Sequence, residues 1–207
     1  VNKKKHKFKT SFYYHINKKK DQKHDRVIFF FSTNQKLSYN DIRKFGFIKI
    51  LDYKNLNNNL HLNNLGPEPL SERFDLPYFK QHIEGKNRVI KNILMDQQFV
   101  SGIGNIYANE ILFLSRVKPS RNVRNLKEFE LKKILKFTKK ILKKAIRLGG
   151  SSIKDFSSSN GKKGSFQQNF NVYGKNSYSC PNRRCKTKIS RTSISNRASF
   201  FCSKCQK

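Results

Sequence analysis

Four cysteines near the end of this 207-residue chain carry the clearest chemistry in it. They stand as Cys180-x4-Cys185, then sixteen residues, then Cys202-x2-Cys205. Two pairs of thiolates at such intervals can close a tetrahedral zinc site, and four sulfur ligands leave no open position for water, so the ion expected is one structural Zn2+. Two disulfides are the alternative that the spacing allows. The opening VNKKKHKFK is basic and lacks the apolar segment of an export signal, which favours reduced thiols and a metal. Phe200 and Phe201 supply the small core a ribbon of this kind needs. Arg183, Arg184, Arg191 and Arg197 give it a basic surface suited to phosphates.

Two further stretches could act on a nucleic acid. Asp41-Ile42-Arg43-Lys44-Phe45-Gly46 sets a guanidinium and an aromatic ring two residues apart, a pair able to wedge into a base stack where a duplex is kinked or a base extruded. A core phenylalanine beside a solvated arginine explains the same residues equally well. The segment MDQQFVSGIGNIYANE, from Met95 to Glu110, reads as a helix end, a turn hinged on Gly102 and Gly104, and a new helix capped by Asn105. The free N–H groups at the start of that helix form a ready phosphate site. An ordinary helical corner is the plain alternative.

The elements that must position these residues follow from periodicity. Residues 1 to 24 alternate basic clusters with one weak strand around Phe12, Tyr13, Tyr14 and Ile16. A β-hairpin is expected from Arg26 to Tyr39, across Ser32, Thr33 and Asn34, and a further strand of the same sheet from FGFIKIL at Phe45. Asn-rich residues 55 to 64 read as a loop, and the two prolines of LGPEPL make a stiff junction, so a domain boundary is expected near residue 65. Helical spacing then covers Leu76 to Ile83, Val89 to Met95, Asn105 to Arg116 and Leu126 to Leu148. In the last, Leu131, Ile134, Leu135, Thr138, Ile141, Leu142, Ala145 and Ile146 form one stripe, with Lys opposite and Gly149-Gly150 as the stop. Residues 151 to 176 are rich in Ser, Gly and Lys, and the loop Asn160-Gly161-Lys162-Lys163-Gly164 has the composition of a lid.

Forty-five Lys and Arg against thirteen Asp and Glu give a formal net charge of +32, which implies self-repulsion unless a polyanion shares it. A coding bias toward Lys and Asn would raise both residues without any partner, so charge supports nucleic-acid binding without establishing it. No run of about 18 apolar residues occurs, and the reading is cytoplasmic and nucleoid-associated.

In order, KHD at Lys23 to Asp25, YNDIRKFG at Tyr39 to Gly46, LGPEPLS at Leu65 to Ser71, LMDQQFVSGIGNIYANE at Leu94 to Glu110, GGSSIKDF at Gly149 to Phe156, NGKKGSFQQNFNVYG at Asn160 to Gly174 and the ending NRASFFCSKCQK resemble the formamidopyrimidine-DNA glycosylases. These are bifunctional glycosylase and AP-lyase enzymes of base-excision repair that remove oxidised purines, 8-oxoguanine and formamidopyrimidines. The resemblance implies an α+β architecture: a partial N-terminal β-sandwich domain over 1–64, a helical helix–two-turn–helix domain over 65–157, a lesion-covering loop and connector over 158–175, and a zinc-ribbon finger over 176–207. It implies one structural Zn2+ on Cys180, Cys185, Cys202 and Cys205. Double-stranded DNA containing an oxidised purine or an abasic site is the partner implied, gripped by a monomer. Asn105 and the adjacent turn amides would hold phosphates of the damaged strand. Arg197 would be the second clamp and a late proton donor in strand cleavage. Arg43 and Phe45 would fill the space left by the extruded base, with Arg43 facing the orphaned cytosine. His24, Lys86 and Tyr173 match DNA-contacting positions, and Lys91 lies near the lesion pocket. Ile42 and Lys44 replace a Pro and an Arg usual in the wedge motif, and the Cys180 to Cys185 spacer is longer than the common two residues.

The family's nucleophile is an N-terminal proline amine followed by a glutamate acid, with a catalytic lysine farther on, and none of the three can be assigned here. The expectation is therefore a missing N-terminal part, and a chain as printed that neither forms the sugar imine nor releases the base. A non-catalytic damaged-DNA-binding remnant and an endonuclease VIII-like enzyme for oxidised pyrimidines are the competing readings. LGPEPLS and NGKKG resemble the purine branch.

Overall fold

A computed structural model of the chain describes residues 22–151 and 164–207. The weak strand expected around Phe12 to Ile16 and most of the expected lid, 160–163, lie outside the described residues. The described chain falls into two units, 22–57 and 58–151 together with 164–207. Among the described residues no helix is long and apolar enough to cross a membrane.

In the first unit β1 (Asp25–Phe30) pairs antiparallel with β2 (Lys36–Asn40). Asn34, at positive φ, turns the hairpin, closed by Phe31 N–H to the Gln35 carbonyl at 2.9 Å. The register slips between Asp25 and Val27, the mark of a bulge at Arg26. The strand expected from Phe45 does not form: 41–52 run without regular structure, and Phe45, Phe47, Ile48 and Ile50 are exposed. Its apolar run pairs with no strand among the described residues, and Lys44 at φ 57 turns the chain out of extended geometry. A second departure is the stretch 55–64, read as a loop. It contains the end of a 3-10 turn (Tyr53–Asn58) and α1 (Leu60–Asn63), started by Asn59, whose side chain accepts from the His61 N–H at 3.0 Å.

The second unit is organised by α2 (Leu76–Ile83), α3 (Ile90–Leu94), α4 (Asn105–Ser115) and α5 (Glu128–Arg147), followed by the hairpin β3 (Ser190–Ile194) and β4 (Arg197–Phe201). Asp75 caps α2 by accepting from Tyr78 N–H, and Phe74, Phe79 and Phe99 pack their rings behind it. The expected stripe of α5 is buried at Leu131, Ile134, Leu135, Thr138, Ile141 and Ala145, whereas Leu142 is half-buried and Ile146 exposed, the two lining an open cleft with Pro69, Leu70 and Gly102. Arg121 fixes the start of α5 through an ion pair with Glu130, whose other role is to accept from the Lys127 N–H.

α4 lies between two apolar clusters. Ala108, Ile111 and Leu112 enter the helical core, while Phe113 enters a second core with Val172, Ile189, Phe200 and the cysteines. One buried acid ties the incoming chain to it. Glu110, 1% exposed, accepts from the N–H groups of Asn171, Val172 and Tyr173 and from the Asn171 side-chain amide, at 2.8 to 2.9 Å. Four charge-assisted bonds satisfy a carboxylate that burial alone would make costly.

Replacing Glu110 by Gln turns two of those acceptor sites into a competing donor. Glu110→Gln should lower unfolding stability in urea by about 2–3 kcal/mol with an unchanged m-value. A loss below about 0.5 kcal/mol would show that this cage does not hold the segment leading into the ribbon in place.

Candidate nucleic-acid interface and metal centre

The turn between α3 and α4 is built by side chains that imitate backbone. Asp96 accepts from Gln98 N–H through Oδ1 at 3.0 Å and pairs with Arg88 at 2.7 Å. Gln97 accepts from Gly102 N–H at 2.7 Å and donates to the Met95 and Ile103 carbonyls. Gly102 has φ 84, a conformation that a side chain would strain. The LGPEP stretch lies directly on this turn: a Cβ on Gly66 would come within 2.4 Å of the Phe99 backbone, and Gly66 N–H reaches the Gln97 carbonyl at 2.8 Å.

Two expectations for this turn change. Gly104, not Asn105, is the cap residue of α4, and its φ of −104° is open to any residue. Asn105 is the first helical residue, so its side chain is released from capping and donates through Nδ2 to the Ala198 carbonyl at 3.1 Å. Gly104 offers no side chain to cap α4, and among the described residues no side chain accepts from its first turn, which leaves the opening N–H groups for an outside acceptor.

The partner of Asn105 is in β4, one residue after Arg197. Ser195 and Asn196, both at positive φ, form the tight turn that brings Arg197 back along β3. Arg197 is exposed. Behind it Asn109, one turn after Asn105, accepts from the Phe200 N–H at 2.7 Å and donates to the Asn105 carbonyl at 2.7 Å. Lys91 completes the seam. It is fully buried, and its Nζ donates to the Ala198 carbonyl at 2.9 Å and to Ser199 Oγ at 2.6 Å. The residue expected beside a lesion pocket thus supports the hairpin from below, because burial keeps its ammonium from the surface. That burial, with the Arg197 charge adding to it, pushes the Lys91 ammonium down to about 8.

The structure thus joins Asn105 to the residue that follows Arg197, 93 positions away in sequence. Tyr173 is half-buried, its ring edge-on to Phe170 and to Phe200 at 5.6 and 5.3 Å, so it packs in the seam between the two cores. Lys86 is half-buried after α2, where its N–H returns to the Ile83 carbonyl. Asn109, Glu110, Ser199 and Gln206 escaped sequence reading. The i, i+4 spacing of Asn105 and Asn109 was the available signal, a polar pair on one face of an otherwise apolar helix.

In the first unit, the Asp41 carboxylate gathers the N–H groups of Arg43, Lys44 and Gly46 at 2.8 to 3.0 Å. These bonds, the one from Gly46 foremost, hold its carboxyl below the usual carboxylate range. The loop so formed displays Arg43 over the Phe45 ring, 4.7 Å from its centroid, with Phe45 76% exposed. The core alternative for Phe45 is excluded by that exposure. His24 is half-buried, and its carbonyl accepts from the Asp41 N–H at 3.0 Å.

At the metal centre the four cysteine Sγ atoms lie within 4.8 Å of one another, and all four are free thiols. Cys180 and Cys205 are 3.8 Å apart, Cys185 and Cys202 3.6 Å, which rules out the disulfide alternative in this structure. A tetrahedron of sulfurs at the ordinary metal–sulfur distance has edges of about 3.8 Å, so the cluster is shaped to hold a metal ion. Hydrogen bonds from Thr187 pull the Cys185 thiol down to about 6, whereas burial pushes Cys180 up to about 12. Gln206, 1% exposed, locks the module to the end of α4: it accepts from Cys202 N–H at 2.9 Å and donates to the Val117 carbonyl at 2.8 Å.

Comparison with known proteins places these features in a family. The formamidopyrimidine-DNA glycosylase H2TH domain matches residues 65–157. The formamidopyrimidine-DNA glycosylase of Rickettsia felis is 40% identical over 185 residues, 89% of this chain and 66% of that protein. That of Listeria monocytogenes is 38% identical over 89% of this chain and 67% of its own length. The chain therefore spans about two thirds of these relatives. Among solved structures, the MutM (Fpg) protein of Thermus thermophilus superposes with a TM-score of 0.78 at 34% identity, covering 90% of this chain and 70% of that one. Lactococcus lactis Fpg in complex with abasic-site DNA superposes at 0.81 and 34% identity, over 91% and 68%.

The Lys91 geometry has a signed consequence for stability. Below about pH 8 Lys91 is protonated in both states and the burial penalty is fully present; between there and its ordinary 10.5 the unfolded chain holds the extra proton. Stability should therefore rise with pH across that window. Comparing urea unfolding at pH 7.5 and 9.5, wild type should gain about 1–2 kcal/mol relative to Lys91→Met. A pH-independent difference would mean that the Lys91 ammonium is not held in a desolvated seam.

Proposed function

Because the chain belongs to the formamidopyrimidine-DNA glycosylase family, we propose that it serves base-excision repair by gripping double-stranded DNA at an oxidised purine or an abasic site. The reaction proposed, by likeness to relatives of which the chain spans about two thirds, is removal of the damaged purine followed by AP-lyase cleavage. The observation that carries the reading is the Asn105 to Ala198 bond, which holds the uncapped start of α4 beside Arg197. N–H groups, a side-chain amide and a guanidinium are the donors that a phosphodiester requires.

Each residue then has a physical task. Asn105 and the first amides of α4 bind phosphate oxygens, and Arg197 binds a neighbouring phosphate with a planar fork that Lys cannot reproduce. Arg197 is also the proposed late proton donor, a role carried over from the family resemblance and open to an exposed guanidinium. Lys91, Asn109 and Ser199 act as positioning residues, holding β4 at a fixed height above α4. Arg43 and Phe45 form the wedge: the exposed ring replaces lost stacking, and the guanidinium can hydrogen-bond an orphaned base. His24, Lys86 and Tyr173 are proposed as outlying DNA contacts. Zn2+ fits Cys180, Cys185, Cys202 and Cys205, whose separations match a four-sulfur tetrahedron. Bound there, the ion supplies folding energy to the ribbon and no chemistry, since no coordination position stays open. A protein acting on chromosomal lesions would work in the cytoplasm at the nucleoid.

In gel-shift competition between an abasic-site duplex and its undamaged counterpart, the chain should prefer the former. Arg197→Ala should weaken binding about tenfold or more and reduce the salt slope by roughly one. Asn105→Ala should weaken it without changing that slope, since a neutral amide releases no counterion. Equal binding to both duplexes, or full affinity in both variants, would refute the clamp. Metal analysis should find one zinc per chain, lost together with the ribbon's fold in Cys202→Ser, and a chain that folds metal-free would remove the zinc assignment.

A further inference from the structure

The clamp uses one side of α4, and a long row of positive charge lies elsewhere, on α5. From Lys132 to Arg147 every fully exposed position of α5 except Ile146 is Lys or Arg, and no acidic residue occurs between Leu131 and Arg147. Composition alone does not produce this, because 45 Lys and Arg in 207 residues would leave most exposed positions of one helix to other side chains. On a helical wheel these basic positions fall within an arc of roughly 140°, opposite the buried stripe of Leu131, Ile134, Thr138, Ile141 and Ala145. Glu128 neutralises only the beginning of the row, pairing with Lys132 at 2.6 Å and Lys80 at 2.9 Å. Among the described residues no ion pair reaches Lys136, Lys140, Lys143 or Arg147. Like charges at i, i+4 repel, so the free helix carries strain that only an anion can relieve.

We propose that this face of α5 is a second DNA-binding surface, which takes the phosphate backbone of a duplex segment other than the one held at Asn105 and Arg197. Topology separates the two surfaces. α4 packs against α5 on one side and against β4 on the other, and the basic row of α5 points away from α4. From Lys132 to Arg147 the row extends about 22 Å, a length of duplex that carries about 13 phosphates. A double helix fits better than a lipid surface, because the apolar stripe that would enter a bilayer is buried in the core. Lysines on a straight helix read charge and not sequence, so the surface suits undamaged DNA. Its function would be to keep the protein on neighbouring DNA while the clamp samples for damage.

The test uses the full chain and the variant Lys136→Gln/Lys140→Gln/Lys143→Gln/Arg147→Gln, with thermal unfolding to verify equal folding. Protein is loaded on bead-bound abasic-site duplex, washed, and offered a fluorescent undamaged duplex. Wild type should capture the second duplex, and the variant should load equally but capture at least tenfold less. Independently of any lesion preference, anisotropy titration of undamaged duplex against salt should show the slope of log K reduced by roughly 3–4 in the variant, about 0.9 per lost phosphate contact. Unchanged slope and capture in the variant would overturn the proposal. So would displacement of the captured duplex by anionic lipid vesicles or single-stranded RNA at lower phosphate concentration than by competitor duplex.

Discussion

Everything at the proposed DNA-binding surface depends on one buried polar seam between α4 and β4. Asn109 is fully buried and satisfied on both sides, by the Phe200 N–H and the Asn105 carbonyl. Lys91 reaches the same strand from beneath and Asn105 from the end of the helix, both at the Ala198 carbonyl. Apolar packing of Phe113 against Phe200 would hold helix and hairpin together over a range of offsets. Hydrogen bonds do not tolerate such a range: a displacement of about 1 Å breaks them and strands buried donors. The seam therefore sets the height and register of Arg197 above the start of α4, which the hydrophobic contact alone leaves open. Gln206 repeats the device at the other end, fixing the cysteine module to the Val117 carbonyl.

This division of labour explains what could be read from the sequence. Residues whose constraint is local announced themselves: the cysteine spacing, the Gly102 turn, the helical stripe of α5 and the hairpin of β1 and β2 each follow from a few neighbouring residues. Seam residues carry no periodic signal. Lys91 and Glu110 are charged residues inside helices, which sequence logic assigns to the surface, and only their partners about 60 to 107 positions away account for their burial. Asn105 shows the same limit at finer scale. Its type fitted a cap, but Gly104 takes that position and frees the amide for a contact made across the fold.

The strand misread after Phe45 has a different cause. FGFIKIL has the alternation and β-branched content of a strand, yet strand formation needs a neighbouring edge as well as propensity. Asp41 supplies a stronger local alternative, drawing three amides of 43–46 onto one carboxylate and turning Lys44 to positive φ. A loop closed in this way presents Arg43 and Phe45 outward, with the guanidinium over the exposed ring and no partner strand among the described residues beside them. The local rule that failed coincides with the residues proposed to act on DNA.

Charge separates in the same manner into what composition accounts for and what placement accounts for. A surplus of Lys raises potential everywhere, but it does not put Arg197 over a buried Lys91 with no carboxylate pairing with either among the described residues. Glu110, five residues from Asn105, is turned to the amides of 171–173 and forms no ion pair with Lys91 or Arg197 among the described residues. Two cations and a helix start without a capping side chain thus share one small region, each raising the electrostatic cost of the others. A fold under no demand but stability would place an acid there. Leaving that position without one keeps the unliganded protein electrostatically unfavourable at this point and gives a phosphate oxygen donors that need no rearrangement to receive it.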